Sequence, residues 1–126
     1  MLNLTGNKLV RITMYIATAV FLVAPIQQTV AQGQNAEFQC QHSTGDAISW
    51  TLNGTSYLGL HLDGVSTNST PLPGGVLGTL TIVAYPEYNQ TGIRCVATFF
   101  DGSPIEQSDP VMLTIQGLSL TVMYKH

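Results

Sequence analysis

Two cysteines and one tryptophan constrain the fold of this chain more than any other feature. Cys40 and Cys95 are the only cysteines, and Trp50, the only tryptophan, lies between them. Each lies in a short segment of alternating apolar and polar residues, the period of a half-buried β-strand. This arrangement is typical of a two-sheet β-sandwich in which a disulfide joins the sheets beside the tryptophan. The sequence therefore predicts an all-β sandwich with one inter-sheet disulfide, and the alternative is a pair of buried free thiols.

Length and charge limit the other classes of protein. The 126 residues allow one domain with tails. Charged residues make up 9% of the chain, against about 25% in an average soluble protein. Four basic residues against seven acidic ones give a net charge of −3. Because binding of nucleic acid phosphates requires a basic surface, we expect no nucleic acid partner.

The amino terminus has the layout of a secretory signal peptide. Residues 1–11 carry two basic side chains, and residues 12–24 are thirteen residues without a charge. Thirteen residues are too few to span a hydrocarbon core of about 30 Å. Cleavage after Ala19 is favoured, which makes residues 1–19 the signal peptide, with Ala24 and Ala31 as alternative boundaries. We therefore expect a secreted or otherwise extracellular protein.

Alternation of residue types predicts a sandwich over residues 25–116. Its core is predicted to contain the inward-facing residues Phe38, Trp50, Leu80 and Ile82. Asn53-Gly54 predicts a tight hairpin turn, since both residues tolerate positive φ, with Ser56 to Leu60 as the return strand. Residues 61–75 are rich in proline, glycine and hydroxyl side chains and predict a loop or irregular edge structure. Residues 117–126 are a short apolar tail that resembles the start of a further segment, and no membrane anchor is predicted after the domain.

These residues resemble an immunoglobulin superfamily domain of the I-set or C2 type. The matching positions are Gly33, Ala36, Phe38, Cys40, Trp50, Leu80, Ile82 and Cys95. The resemblance implies a Greek-key sandwich, an inter-sheet disulfide between Cys40 and Cys95, and a protein partner.

Two positions depart from the family pattern. Ile93 stands two residues before Cys95, where the family usually has the tyrosine that closes a corner between two strands. Asn89 stands where an aspartate is frequent. We therefore expect another side chain, Tyr85 or Tyr88, to hold this corner.

No arrangement of residues points to catalysis. His42 and His61 are predicted in loops and His126 is the last residue, so no metal-ligand spacing is present. Asp101 and Glu106 could meet across a hairpin, but solvated loop charge is the favoured interpretation. The sequence predicts no enzyme, metal, cofactor or small-molecule substrate.

Recognition of a protein is the predicted function. In such a sandwich the strands labelled C, F and G share one sheet, and its outer face or the loop after the F strand is the predicted contact surface. Phe100, Val96 and Met112 are expected to form one apolar patch with a cation beside it, a composition typical of interfaces. The candidate partner-binding residues are Arg94, Val96, Phe100, Asp101 and Met112.

Three sequons in the predicted domain are candidate N-glycosylation sites: Asn53, Asn68 and Asn89. The expected function is an extracellular adhesion or receptor-type module that binds another protein or a second copy of itself. The alternative is a secreted single-domain form that acts as a decoy or humoral immune effector.

Overall fold

The computed structural model describes residues 21–60 and 62–117, which form ten strands in two sheets. The four-stranded sheet has the order β1 (Phe21–Val23), β3 (Asn35–His42), β7 (Gly75–Val83) and β6 (Val65–Leu72). The six-stranded sheet has the order β2 (Gln28–Ala31), β10 (Val111–Gln116), β8 (Thr91–Thr98), β4 (Ala47–Leu52) and β5 (Thr55–Ser56), and β9 (Glu106–Gln107) also pairs with β8. The predicted all-β two-sheet sandwich is confirmed. The predicted signal peptide and the tail beyond residue 117 lie outside the described residues.

The core lies between the sheets around the predicted disulfide. Cys40 of β3 is bonded to Cys95 of β8, which confirms the inter-sheet bridge. Trp50 of β4 lies opposite Cys95 in the strand register, so the indole is buried beside the bridge. The predicted core residues are all buried, each at most 1% exposed: Phe38, Trp50, Leu80 and Ile82. Alternating burial along β3 and β7 follows from the period of two in their sequences.

The first described residues contact both sheets in turn. Phe21–Val23 pairs with β3 in the four-stranded sheet, and Gln28–Ala31 pairs in parallel with β10 in the other. Pro25 is buried at the crossing between them. Residues 21–23, which precede the expected start of the domain at residue 25, thus take part in the four-stranded sheet.

Two segments differ from expectation in the region after the hairpin turn. Asn53 and Gly54 have φ values of 51° and 84°, which confirms the turn, but the return strand β5 has only two residues. A 3₁₀ turn, Tyr57–Gly59, replaces the rest of it. Residues 65–72, predicted as loop or irregular edge, form a regular strand that pairs along its whole length with β7. Because β6 is an edge strand, it tolerates Pro71 and polar side chains.

Another short helix, Pro86–Tyr88, forms the corner before β8. Pro86 occupies its first turn, where a missing N–H leaves no hydrogen bond unmade. Within the described ranges, the helices are too short or too polar to cross a membrane.

Candidate functional site

The predicted apolar patch on the six-stranded sheet is not formed. Met112 lies opposite Gly92 at the start of β8, whereas Phe100 follows the end of that strand. Eight residues of extended chain separate Gly92 from Phe100, a distance of about 27 Å. The expectation of one patch was wrong because β10 pairs only with the first residues of β8, and β9 pairs farther along.

Val96 is also less accessible than predicted. Its side chain points away from the core but is only 6% exposed. Ser49 of β4 lies opposite it on one side and Gln107 of β9 on the other. Val96 therefore lies inside the sheet, with a paired strand on each side. Its predicted exposure to a partner was wrong.

The remaining candidates occupy separate places. Arg94 lies in mid-strand opposite Thr51 and is half-buried. Met112 is 40% exposed near the opposite end of the sheet from Phe100, which is 80% exposed. Only Phe100 and Asp101 are adjacent, in the turn after β8. Their predicted role in binding a partner stays a prediction.

Two connections meet at the end of the sandwich where Phe100 lies. We call residues 43–46 and 99–106 the loop end. The backbone N–H of Asp46 donates to the carbonyl of Thr98 (2.9 Å), and the Asp46 Oδ2 accepts from the N–H of Phe100 (2.8 Å). Asp46 thus fixes the backbone from which the Phe100 side chain projects. Aspartate suits this place because a short carboxylate satisfies nearby backbone donors in turns.

His42 is buried under the loop end and forms hydrogen bonds to both of its connections. It was predicted in a loop, but it is the last residue of β3 and fully buried. Its Nδ1 accepts from the backbone N–H groups of Thr44 (3.1 Å) and Gly45 (2.9 Å). Since Nδ1 is an acceptor, Nε2 carries the proton of the neutral ring and donates to the Glu106 Oε1 (2.8 Å).

Two aromatic rings enclose the His42 imidazole. The rings of Phe21 and Phe99 each lie nearly perpendicular to it, with centroid distances of 4.8 Å and 5.5 Å. A signal for this burial was present in the sequence, because His42 lies two residues after the inward-facing Cys40 and shares its face. The long-range partner Glu106 left no such signal.

An open cleft of about 630 Å³ lies at the loop end. Its walls include Asp46, Phe99, Asp101, Pro104, Ile105 and Glu106. Ile105 is 54% exposed, and Glu106 keeps a side-chain exposure of 41% despite its bond to His42. Hydrogen bonds from the side chain and backbone N–H of Ser103 lower the pKa of Asp101 below its usual value, so this carboxylate is charged at neutral pH. The cleft therefore combines apolar side chains with three carboxylates.

The opposite end of the sandwich, which we call the corner end, comprises residues 53–54, 63–64 and 85–91. Tyr88 holds it, because its hydroxyl donates to the carbonyl of Asp63 (2.6 Å). Sequence reasoning expected Tyr85 or Tyr88 in this role, and Tyr88 performs it. Burial, followed by the negative charges of Glu87 and Asp63, raises the pKa of Tyr88.

The predicted glycosylation sites differ in how far their side chains are engaged. Asn89 accepts from the N–H of Ile115 (2.8 Å), and the third residue of its sequon, Thr91, is buried and donates to a carbonyl. Asn53 accepts from the N–H of Gly92 (2.8 Å) on an exposed turn. Asn68 is exposed in β6, on the outer face of the four-stranded sheet. Modification of all three stays a prediction.

Comparison with known proteins identifies the fold. No protein-family model matches the sequence, and no curated protein matches it. The structure resembles the N-terminal eight Ig domains of Down syndrome cell adhesion molecule, with 21% identity and a TM-score of 0.62 over 79% of this chain. It spans 13% of that chain.

Two titin structures are also similar. The titin domains z1z2 in complex with telethonin match at 24% identity and a TM-score of 0.60, over 78% of this chain and 47% of that one. The titin M3 domain matches at 18% identity and a TM-score of 0.55, over 77% of this chain and 95% of that one. Together with the inter-sheet disulfide and the strand order, these similarities show that the described residues adopt an immunoglobulin-like fold.

Proposed function

We propose that this chain is an extracellular immunoglobulin-like module that binds a protein partner and carries no catalytic activity. The observation that carries the proposal is the presentation of Phe100. Its side chain is 80% exposed, yet its backbone N–H is held by Asp46. An aromatic side chain on a fixed backbone is a typical interface anchor, because little conformational freedom is lost when it binds.

The disulfide supports the proposed compartment. Bridges of this kind form and persist in oxidising environments such as the secretory pathway and the extracellular space. Residues 1–19 are proposed as the signal peptide that directs the chain there. Cleavage after Ala19 retains Phe21, which packs on His42, whereas cleavage after Ala24 would remove all of β1. Cleavage after Ala31 would remove β2 as well.

Secretion of the full chain from cultured animal cells tests the compartment. We expect the protein in the medium or on the cell surface, with Val20 as its first residue by amino-terminal sequencing. Retention in the cytosol with unbridged cysteines would contradict the proposal. Accumulation in the medium alone, with competition against a membrane-bound receptor, would select the soluble decoy form over the adhesion or receptor form.

Binding requires its own experiment. Photo-crosslinkable tetramers of the secreted chain are applied to a panel of cell lines, and each captured surface protein is then produced separately and titrated. We expect saturable binding that Phe100→Ser weakens and Leu58→Ser preserves. Leu58 is a matched control because it is also an apolar side chain with 80% exposure, outside the loop end. If no captured protein binds saturably, the proposed function is wrong.

A further inference from the structure

We infer that the loop end binds a surface of a different protein that presents arginine or lysine beside an apolar side chain, rather than a second copy of this chain. The inference rests on the proposed function and specifies the chemistry of the partner. Its basis is the combination, at one end of the sandwich, of exposed apolar side chains, a cleft and uncompensated negative charge.

Several apolar side chains contribute to the surface of the loop end. Ile105 is 54% exposed and lines the cleft together with Phe99 and Pro104. Phe100 is 80% exposed and stands in the sequence between two lining residues, Phe99 and Asp101. Exposed apolar groups rimmed by polar ones are a mark of binding surfaces. A cleft of this shape can receive the apolar stem of a long side chain, and the exposed ring face of Phe100 favours a cationic head group.

The negative charge of the cleft favours a partner with basic side chains. Asp46, Asp101 and Glu106 line the cleft, and no arginine or lysine is among its lining residues. Within residues 21–60 and 62–117 there are seven carboxylate side chains and one basic one, Arg94. Arg94 lies six residues before Phe100 along β8, about 20 Å away by the rise of a strand. The negative charge at the loop end is therefore not neutralised by the described domain.

The excess of carboxylates over basic side chains also disfavours a second copy of this chain as the partner at the loop end. Contact between the loop ends of two copies would place carboxylates against carboxylates, which is unfavourable at an interface. Contact between the loop end of one copy and the sheet of another would supply only the half-buried Arg94 from the described residues. A separate protein with several exposed basic groups has no such restriction.

The surface is already assembled in the free chain. Asp46 holds the Phe100 backbone, Ser103 donates its N–H to Asp101 (2.9 Å), and His42 donates to Glu106 (2.8 Å). These bonds orient the carboxylates of Asp101 and Glu106 and fix the backbone of Phe100 before a partner arrives. Because little ordering is left for the binding step, a small contact can still be specific.

Short peptides of defined composition test the chemistry on the full secreted chain. The probe is a fluorescent Arg-Leu-Arg segment flanked by glycine and serine, and matched probes replace the arginines with serine, the arginines with glutamate, or the leucine with serine. Binding is titrated by fluorescence anisotropy and located by amide chemical-shift changes. We expect the Arg-Leu-Arg probe to shift amides at residues 99–106 and to bind at least ten-fold more tightly than the other three.

Matched variants separate this surface from general attraction to an acidic protein. We expect Phe100→Ser and Asp101→Asn each to weaken the probe at least three-fold. Leu58→Ser and Glu37→Gln, exposed controls of the same two chemical types away from the loop end, should change it less than 1.5-fold. Amide spectra of each variant establish that it is folded.

Four results would overturn the inference. Equal weakening by the control variants would show non-specific attraction, and shifts mapped to another surface would place the contact elsewhere. Concentration-dependent dimerisation in sedimentation experiments that Phe100→Ser abolishes would identify a second copy as the occupant. If a cell-surface partner binds the chain saturably but ignores Phe100→Ser and Asp101→Asn, the proposed function stands and this inference fails.

Discussion

The loop end and the corner end of the sandwich are built from the same kind of contact but face solvent differently. At the corner end, Tyr88, Asn53 and Asn89 each direct a polar atom to a backbone group of a neighbouring segment. At the loop end, Asp46 does the same for Phe100, but the carboxylates of Asp101 and Glu106 stay accessible. One end uses its polar side chains for stability, and the other leaves charge and an aromatic ring available.

This difference indicates where a recognition surface can change without loss of the fold. Removing a corner side chain leaves a backbone donor or acceptor without its partner, which is costly in a folded protein. Removing the exposed Phe100 ring or the Asp101 charge leaves the hydrogen bonds of the sandwich intact. We therefore expect substitution of these side chains to have opposite outcomes: lost stability at the corner end and lost binding at the loop end.

The largest expected effect acts on both ends equally. Replacing both cysteines, Cys40→Ala with Cys95→Ala, removes a bridge between residues 55 apart. The chain-entropy model gives a loss of about 4 kcal/mol in the free energy of unfolding. Urea denaturation followed by Trp50 fluorescence measures it. Protection of amides from hydrogen exchange should fall at both ends, and a loss confined to one end would contradict the shared core.

Gly75→Ala should damage the loop end selectively. Gly75 has φ of +130°, and a Cβ there would overlap the backbone carbonyl of His42. Because backbone atoms cannot move aside easily, we expect a loss of about 3 kcal/mol and faster amide exchange at Thr44 and Gly45. Gly74→Ala is the control, since a Cβ at Gly74 meets nothing within 4 Å. Equal effects of the two substitutions would show that the close contact between residue 75 and the His42 carbonyl is not the cause.

Tyr88→Phe tests the corner end. Loss of the hydroxyl bond to the Asp63 carbonyl should lower the free energy of unfolding by about 1 kcal/mol. The raised pKa of Tyr88 adds a pH dependence: stability is full below the ordinary tyrosine pKa of 10.0 and declines as pH rises through the folded value. This decline occurs because the unfolded chain loses the proton first.

Denaturation at neutral and alkaline pH measures both effects of Tyr88→Phe. The variant should lose less stability than the parent chain between pH 9 and pH 11 (an interval about one unit either side of the ordinary tyrosine pKa). Tyr85→Phe is the control, because this ring is 38% exposed. An identical alkaline decline in parent and Tyr88→Phe chains would show that another group is responsible.

The smallest expected effect on stability separates two sequons. Asn68→Gln should change the free energy of unfolding by less than about 0.5 kcal/mol, since the side chain is exposed on an edge strand. In chain secreted from animal cells it should remove a glycan. Asn89→Gln should leave the glycan mass almost unchanged and cost about 1 kcal/mol through the lost bond to Ile115. Intact-mass measurement with and without glycosidase decides, and a glycan mainly on Asn89 would contradict this assignment.

Local periodicity made the sandwich predictable, and the absence of pairing information limited the prediction of the site. Alternation predicted Phe38, Trp50 and Leu80 in the core, and Asn53-Gly54 predicted the hairpin turn. Both signals are carried by residues that are close together in the sequence. The strand β6 escaped detection because residues 66–71 are exposed on both faces, so its sequence does not alternate between apolar and polar side chains. The prediction of one apolar patch from Val96, Phe100 and Met112 failed because the register of β10 against β8 depends on contacts that no single segment encodes.

The bond between His42 and Glu106 joins positions 64 residues apart, and Asp46 holds Phe100 across 54 residues. A synthetic peptide of residues 99–106 would contain Phe100, Asp101 and Glu106 but neither Asp46 nor His42, which hold this segment from outside it. Such a peptide would compete poorly with the intact chain for a partner. Antibodies raised against it would rarely recognise the folded protein, and an antibody that blocks binding would have to be selected on the folded, disulfide-bonded chain.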